Sequence, residues 1–471
     1  MRRQIAAFFL IASFCFILFA WTVPAKNRVV TKNYTLYINE KRQIKINPKL
    51  KIKKIKKTSP KLDVKKQKNN VIVVEPLDMD KSELTVYTNK QTYRYVFKVK
   101  ERYQIENEKL EKYIKKKNPK RIIFTNKVNK KAKIKLSSSN QKSVVGWMKN
   151  DTLYISANNG GRVYCYDADS LFSNLQDVEY IDVSYLDISK CTTATYMFAF
   201  SPKLKQIKGL DRLDFSHIKN MCALFTGCKS LKELDVTGWN TGRVTDMGAV
   251  FMNCYNLETI KGLETWNTSN VRYMTSMFSY GVSYSHNGKL KNINLSTWDV
   301  SKVKDMSDMF YGCGSLEYLN VSAWNTKSLK SADHMFCQCV SLRNLDVSKW
   351  DVSKVLDFNA MFHSCSSLTY IDVSKWDTSS AIYMCQMFEM CTLLKQLDVS
   401  HFNTDKVIGF CEMFKDCRSL KKLDLSSFST RSVPAGECIR GKGEYFRCCS
   451  GMKDMFKNCS NLKMFGFAGT Q

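Results

Sequence analysis

Proline and histidine are the scarce residues of this 471-residue chain, which holds seven of the first and five of the second. So little proline excludes a collagen-like or polyproline-rich chain. The histidines, His217, His286, His334, His363 and His401, do not recur at one spacing. They build no repeated ligand set, and His334 with Cys337 and Cys339 resembles a zinc half-site only loosely. No nucleotide-binding glycine loop, nucleophile elbow or metalloprotease helix is present. No catalytic residue, metal site or cofactor is therefore assigned. Acidic residues are also in deficit, with 43 Asp and Glu against 73 Lys and Arg, a net charge of +30. The surplus is local: residues 26–142 hold 35 basic and 10 acidic residues, whereas residues 143–471 are within three charges of neutral.

Long apolar runs are confined to one place. Arg2 and Arg3 precede a run from Ile5 to Val23, and Val23-Pro24-Ala25 sets small residues ahead of Lys26. This pattern reads as an export signal cleaved after Ala25, or as a retained N-terminal membrane anchor, since about 20 apolar residues span a bilayer. Either outcome places the rest of the chain outside the cytoplasm, at the cell surface or secreted. Residues 26–118 alternate apolar and polar in short runs such as Tyr34–Ile38, Val71–Val74, Leu84–Tyr87 and Tyr93–Val99. That alternation predicts a small antiparallel β-sandwich with lysines on its wet faces. Residues 101–118 are charged and read as a helix ending at Pro119. Residues 119–180 carry the strand-like runs Ile122–Phe124, Val144–Trp147 and Thr152–Ile155, a lead-in that would cap the C-terminal segment.

That C-terminal segment repeats itself. Met-Phe-x-x-Cys recurs at Met309–Cys313, Met335–Cys339, Met361–Cys365, Met387–Cys391 and Met413–Cys417, a period of 26 residues. Phe198, Phe225, Phe251, Phe278 and Phe456 keep the frame with small insertions. A fixed period of this length over residues 181–471 predicts a solenoid, each repeat burying its apolar face against its neighbours. Within one repeat, Leu345 and Val347 point inward from a strand, and Asp346 and Ser348 outward. After Ser353, a candidate helix N-cap, Val355, Phe358, Met361 and Phe362 fall at helical spacing. The expected fold is thus α/β: a parallel sheet plus short helices, preceded by the basic β module. Trp239, Trp266, Trp298, Trp324, Trp350 and Trp376 share a column that Phe402 and Phe428 continue. They are either exposed platforms for a ligand or a stacked internal ladder, and the spacing of about 4.8 Å between neighbouring strands favours the ladder.

Eighteen cysteines in an exported chain suggest disulfides. Eight of them, however, sit three residues after a repeat phenylalanine, and stacked equivalents have parallel Cβ vectors about 4.8 Å apart. Disulfides need convergent vectors about 3.5–4.5 Å apart, so buried free thiols are the better reading of this column. The last repeat carries an insertion, residues 434–450, with Cys438, Cys448 and Cys449 among glycines, where a loop-closing disulfide from Cys438 to Cys448 or Cys449 is the candidate.

The candidate binding surface is the outward strand column. Asp235, Asp346, Asp372, Asp398 and Asp424 share it, with Asn294 and Asn320 between and Lys261 interrupting. Stacked like charges destabilise a sheet and raise carboxyl pKa values unless relieved by turn amides, nearby lysines, a cation or a basic partner. The column is thus either tied to its own backbone or a recognition stripe. The basic segment 26–142 has no nucleic-acid motif and suits an anionic wall polymer or lipid, or binds nothing.

The stretches Leu342-Arg-Asn-Leu-Asp-Val-Ser-Lys-Trp350-Asp-Val-Ser-Lys-Val355, Ile260-Lys-Gly-Leu-Glu-Thr-Trp-Asn-Thr-Ser269 and Gly146-Trp-Met-Lys-Asn-Asp-Thr-Leu-Tyr154 resemble the bacterial leucine-rich repeat surface proteins of the BspA type. The resemblance covers residues 120–471. It implies a non-enzymatic surface protein that adheres to host or matrix proteins. The expected partners are extracellular proteins or glycans, with no nucleic acid, and the expected state is a monomer. The alternative role is a structural wall or envelope component held by the basic module.

Overall fold

Alternating apolar residues in the first hundred positions do form strands. The computed structural model describes residues 29–37, 42–76, 82–100, 103–137, 143–281, 288–434 and 451–465, and the chain divides into two compact units after Tyr103. The first unit holds β1 (Val29–Tyr37), β2 (Arg42–Lys45), β3 (Ile52–Lys57), β4 (Leu62–Lys66), β5 (Val71–Pro76), β6 (Ser82–Thr88) and β7 (Thr92–Lys100). They make two sheets, ordered β1-β7-β6-β3 and β2-β5-β4. Every second residue of β5 is buried, and Leu36, Ile44, Leu62, Ile72, Leu84 and Phe97 share one core. One edge departs from the antiparallel expectation: β1 runs parallel to β7, from Val29 opposite Thr92 to Tyr37 opposite Lys100. A parallel pair needs a long connection, which the five intervening strands supply. Strands β2 and β4 are hard to read from sequence because lysine and arginine occupy most of their outward positions.

The second unit opens with α1 (Asn107–Lys117), which buries Leu110 and Ile114 and stops at Asn118, a left-handed residue with φ 43°, before Pro119. Then come β8 (Arg121–Phe124), β9 (Ile134–Lys135), β10 (Val144–Lys149), β11 (Thr152–Ala157), β12 (Val163–Tyr164), β13 (Tyr180–Asp182), β14 (Leu186–Asp187) and β15 (Gln206–Lys208). β10 and β11 form a hairpin. β8 pairs in parallel with β11 on one side and with β13 on the other. The lead-in sheet therefore runs directly into the strands of the first repeats.

From there the structure is β-rich, with small discontinuous sheets. β16 (Glu233–Asp235) pairs with β17 (Thr259–Lys261), β18 (Asn292–Asn294) with β19 (Tyr318–Asn320), and β20 (Lys422–Asp424) with β21 (Lys463–Phe465), all in parallel. The alternation read from the sequence holds where no ladder forms, since Leu345 and Val347 are buried and Asp346 is exposed.

The expected helix in each repeat is a correction. Val355, Phe358, Met361 and Phe362 are all buried, but they lie on a run of consecutive turns. The N–H of Met361 bonds the carbonyl of Phe358, and that of Cys365 the carbonyl of Phe362. Two residues per repeat take left-handed backbone, such as Ala360 (φ 48°) and Ser364 (φ 60°). That geometry turns alternate N–H groups out of the repeat, where an α-helix would return them to its own carbonyls four residues back. They bond the next repeat instead: each ladder phenylalanine from Phe198 to Phe414 donates its N–H to a carbonyl one repeat on, at 2.9–3.0 Å. Parallel bridges link this turn ribbon without a break from Thr193 to Gly451. Among the described residues, α1 and two 3-10 turns, Leu210–Arg212 and Leu263–Thr265, are the helical elements. The continuous bonding between repeats thus lies in the turns, while the strand side is fragmentary.

Three internal columns fill the space between. The phenylalanine rings stack from Phe172 to Phe456 with centroids 5.4–5.9 Å apart. Phe172 extends the ladder one repeat earlier than Met-Phe reveals, because Leu171 stands where methionine recurs. The tryptophan column is internal: Trp324 and Trp376 are 1% exposed. Each indole except that of Trp266 donates to a carbonyl of the preceding repeat, as Trp350 does to Val321 at 3.2 Å and Trp376 to Val347 at 3.1 Å. The cysteines that follow the ladder phenylalanines are free thiols. Each donates to an earlier ladder phenylalanine carbonyl, from Cys228 on Phe198 to Cys459 on Phe414, at 2.9–3.4 Å. Burial pushes the thiols of Cys228 and Cys365 up to about 12.

Candidate functional site

Strand periodicity sends residues 346, 372, 398 and 424 to the outside of successive repeats, so four aspartates stand in an unbroken row. Asp235 lies in the same row, separated from them by Lys261, Asn294 and Asn320. Each aspartate is followed two residues later by serine or threonine, and this spacing makes an Asx turn. Oδ1 of Asp372 accepts the N–H of Ser374 at 3.0 Å and its hydroxyl at 2.7 Å. Asp346 and Asp398 are held in the same way by Ser348 and Ser400. Asp235 and Asp424 accept the N–H of Thr237 and Ser426. The hydroxyl bonds of Thr237, Ser374 and Ser400 hold Asp235, Asp372 and Asp398 below the usual carboxylate range, and the N–H of Ser426 does so for Asp424. The repulsion of neighbours, felt by Asp398 from Asp372, is the smaller effect. Asp235, Asp372, Asp398 and Asp424 are charged at neutral pH, and the Oδ1 atoms of the row are fixed by their own turns.

Tyrosines stand beside it. Tyr318 and Tyr370, the residues two before Asn320 and Asp372, are 58% and 55% exposed. Tyr370, Asp372, Gln396, Asp398 and Lys422 line an open groove of about 580 Å³. A second of about 520 Å³ is lined by Asn292, Asn294, Tyr318 and Asn320. A third of about 450 Å³ is lined by Gln206, Glu233, Asp235 and Lys261. All three lie on the outward strand face. Its chemistry grades along the chain, from mixed charge at Asp235 and Lys261, through amides, to the aspartate row. It offers charge, phenol and amide groups to an extended partner.

The turn ribbon carries a second polar group that sequence reasoning misses. His334 is buried and its Nδ1 lies 2.6 Å from Oδ1 of Asp333. Burial disfavours the His334 cation, but the Asp333 hydrogen bond and the charges of Asp333, Asp308 and Asp357 outweigh it and raise its pKa. Burial lifts Asp308 to about 6, with His334 opposing and Asp333 and Asp305 adding to the lift. Burial and Asp333 lift Asp357 to about 7, against the Asn359 N–H and His334. Farther along, Glu389 is 5% exposed at its side chain and meets Lys415 at 2.8 Å and His363 at 3.2 Å, while Lys415 also meets Glu412 at 2.7 Å. Asp308, His334 and Glu412 share one column of the repeat, Asp305 and Asp357 a second, and His363, Glu389 and Lys415 a third, with Asp333 in a fourth. Adjacent turns bring them together.

Among the described residues no group of three or more His, Cys, Asp or Glu side chains is placed to hold a metal ion. His334, Cys337 and Cys339 do not assemble as a ligand set: the first binds Asp333 and the Cys339 thiol donates to Phe310. Ala25, Cys438, Cys448 and Cys449 lie outside the described residues. No helix among the described residues is long and apolar enough to cross a membrane.

Residues 166–290, 283–370 and 367–446 match the family described as "Mycoplasma protein of unknown function, DUF285". No curated protein matches the chain. Among solved structures it is weakly similar to a leucine-rich repeat protein from Bacteroides ovatus, at 18% identity and a TM-score of 0.25, covering 59% of this chain and 85% of that one. A leucine-rich repeat protein from Eubacterium ventriosum is similar at 16% identity and a TM-score of 0.25, covering 65% and 97%.

Proposed function

This chain belongs to the family described as "Mycoplasma protein of unknown function, DUF285", and from its outward strand face we propose that it is a non-enzymatic binding protein that works by multivalent contact. The reading takes the repeats as a leucine-rich-repeat-like solenoid of the BspA type, displayed at the cell surface or secreted and adhering to extracellular proteins or glycans. The observation that carries it is the row Asp346, Asp372, Asp398, Asp424 with Tyr370 beside it. Its Oδ1 atoms are pre-set by Asx turns, so little side-chain entropy remains to be lost on binding. Exposed tyrosine is a residue type enriched at interface anchors.

The test is capture of the full chain on an array of matrix proteins and glycans, for the wild type and for Asp372→Ala with Asp398→Ala. The double variant is expected to lose at least tenfold in apparent affinity for whatever the wild type captures. Equal capture by both refutes the strand face as the site. A second reading, an envelope component held by its basic front, draws on the exposed lysines 53, 54, 56 and 57 of β3. It requires retention on anionic vesicles that fades with salt.

A further inference from the structure

Two cysteines outside the thiol column are also buried, Cys385 at 3% and Cys411 at 1% exposed. Cys385 and Cys411 lie three residues before a ladder phenylalanine, at the same position of consecutive repeats. Elsewhere that column holds Thr195, Cys222, Thr275, Ser307 and Asp333 half-buried, Gly248 and Asn359 buried, and Lys453 exposed. In most repeats the residue two earlier covers it. Asp246, Asp305 and Asp357 each accept the N–H of the column residue at 2.9 Å through Oδ1. At Cys411 this cover is glycine twice over, Gly409 in its own repeat and Gly451 in the next, and these two are bridged. A Cβ on Gly451 would stand 3.8 Å from the Cys411 sulfur, so residue 451 sets no side chain against that atom.

The sulfurs face each other. The Cys385 thiol donates to the Cys411 sulfur, which also takes the N–H of Lys453. The backbones are tied by Gln386 N–H to Cys411 O at 2.8 Å. Cys165 and Cys191 make an internal contrast, one repeat apart and also hydrogen-bonded thiol to thiol. There Cys165 donates to the carbonyl of Asp167 at 2.8 Å, and Cys191 to the carbonyl of Cys165 at 3.3 Å. The hydrogen bond with Cys191 and then burial disfavour the Cys165 thiolate. At Cys411 the hydrogen bond from Cys385 and the N–H donors favour thiolate against burial, and bring the thiol down to about 7.

We propose that Cys385 and Cys411 are a peroxide-sensitive thiol pair that closes to a disulfide between neighbouring repeats. The Cys411 thiolate attacks one peroxide oxygen, breaks the O–O bond and expels hydroxide, becoming a sulfenic acid. The Cys385 sulfur then attacks the Cys411 sulfur, and the sulfenic oxygen leaves as water with the Cys385 proton. Two thiols are oxidised by two electrons and the peroxide is reduced. Stacked repeats hold Cβ vectors near parallel, so the bond forms under strain and is readily reduced again.

The experiment titrates the full chain with hydrogen peroxide, alkylates the remaining thiols, digests and maps peptides by mass spectrometry. The Cys385–Cys411 cross-link is expected before any oxidation at Cys165, Cys191, Cys313, Cys339, Cys365 or Cys391, and dithiothreitol should reverse it. In Cys385→Ser, Cys411 should stall as a sulfenic acid that dimedone traps. Wild-type mapping decides alone should that variant not fold. Oxidation of the ladder thiols first, Cys411 passing to sulfinic acid while Cys385 stays alkylatable, or a link from Cys411 to any other cysteine overturns the proposal.

Discussion

Replacing Asp357 by asparagine is expected to stabilise the protein in mild alkali and to do less than half as much at pH 5. Asp357 is lifted from 3.8 to about 7, first by burial and then by Asp333. A carboxyl group raised on folding contributes stability that is complete below its unfolded value and is lost as pH rises through the folded one. At about 1.36 kcal/mol per unit, the three-unit rise sets a ceiling of roughly 4 kcal/mol lost by pH 8. Asp308, Asp333 and His334 share protons with Asp357, so a fair figure for this residue alone is about 2 kcal/mol. Asparagine keeps the Oδ1 acceptor that holds the Asn359 N–H at 2.9 Å and carries no charge to bury. Urea unfolding followed by tryptophan fluorescence at pH 5 and pH 8 measures the difference. The variant should gain about 2 kcal/mol at pH 8 and roughly 0.8 kcal/mol at pH 5, where the folded group is protonated but the unfolded one, at 3.8, is already largely ionised. A variant no more stable than wild type at pH 8, or one with the same gain at both pH values, refutes the reasoning.

Two further outcomes test the packing. Lys415→Met strips the ammonium from Glu389, whose side chain is 5% exposed, and should cost about 2–4 kcal/mol in the same assay, with Glu389→Gln in the same chain restoring most of it. Hydrogen bonds from His363 and Lys415 hold Glu389 low against its burial, so its contribution is present above the unfolded carboxyl value and lost as pH falls through the folded one, and the Lys415→Met penalty must shrink in acid. Trp350→Phe keeps the stack but loses the bond to Val321, for about 1 kcal/mol, whereas Trp350→Ala should cost about 3–5 kcal/mol; equal costs for the two would mean that the stacked ring kept by phenylalanine contributes nothing.

The internal columns were readable because burial follows the period alone. Any backbone that returns to the same place every 26 residues must stack Phe310 on Phe336 and Trp324 on Trp350, whatever its dihedrals. The helix was misread for the same reason. The spacing of Val355, Phe358, Met361 and Phe362 fits a helical face and a run of turns alike. What distinguishes them is left-handed backbone at Asp308, His334, Ala360, Gln386 and Glu412, residue types that do not announce it. A partial signal existed two residues after the ladder phenylalanine, where Gly227, Asn253, Gly312, Asp416 and Asn458 all have positive φ. The aspartate row was legible as a row, and Asp-x-Ser foretold its turns. The histidine–carboxylate group was not, because its columns change residue type from repeat to repeat, as from Asp308 to His334 to Ala360, and no recurring residue marks them.

The turn ribbon gives the stack an electrical direction. Met306, Asp308, Phe310 and Gly312 all send their N–H groups forward, to carbonyls of Ser331, Asp333, Met335 and Cys337. The next repeats do the same. Peptide dipoles so aligned add along the axis as they do in a helix. Each repeat therefore shows bare donors to its C-terminal neighbour and bare acceptors to its N-terminal one. A repeat grafted in the same sense will dock at either face, but one presented in reverse would set donor against donor.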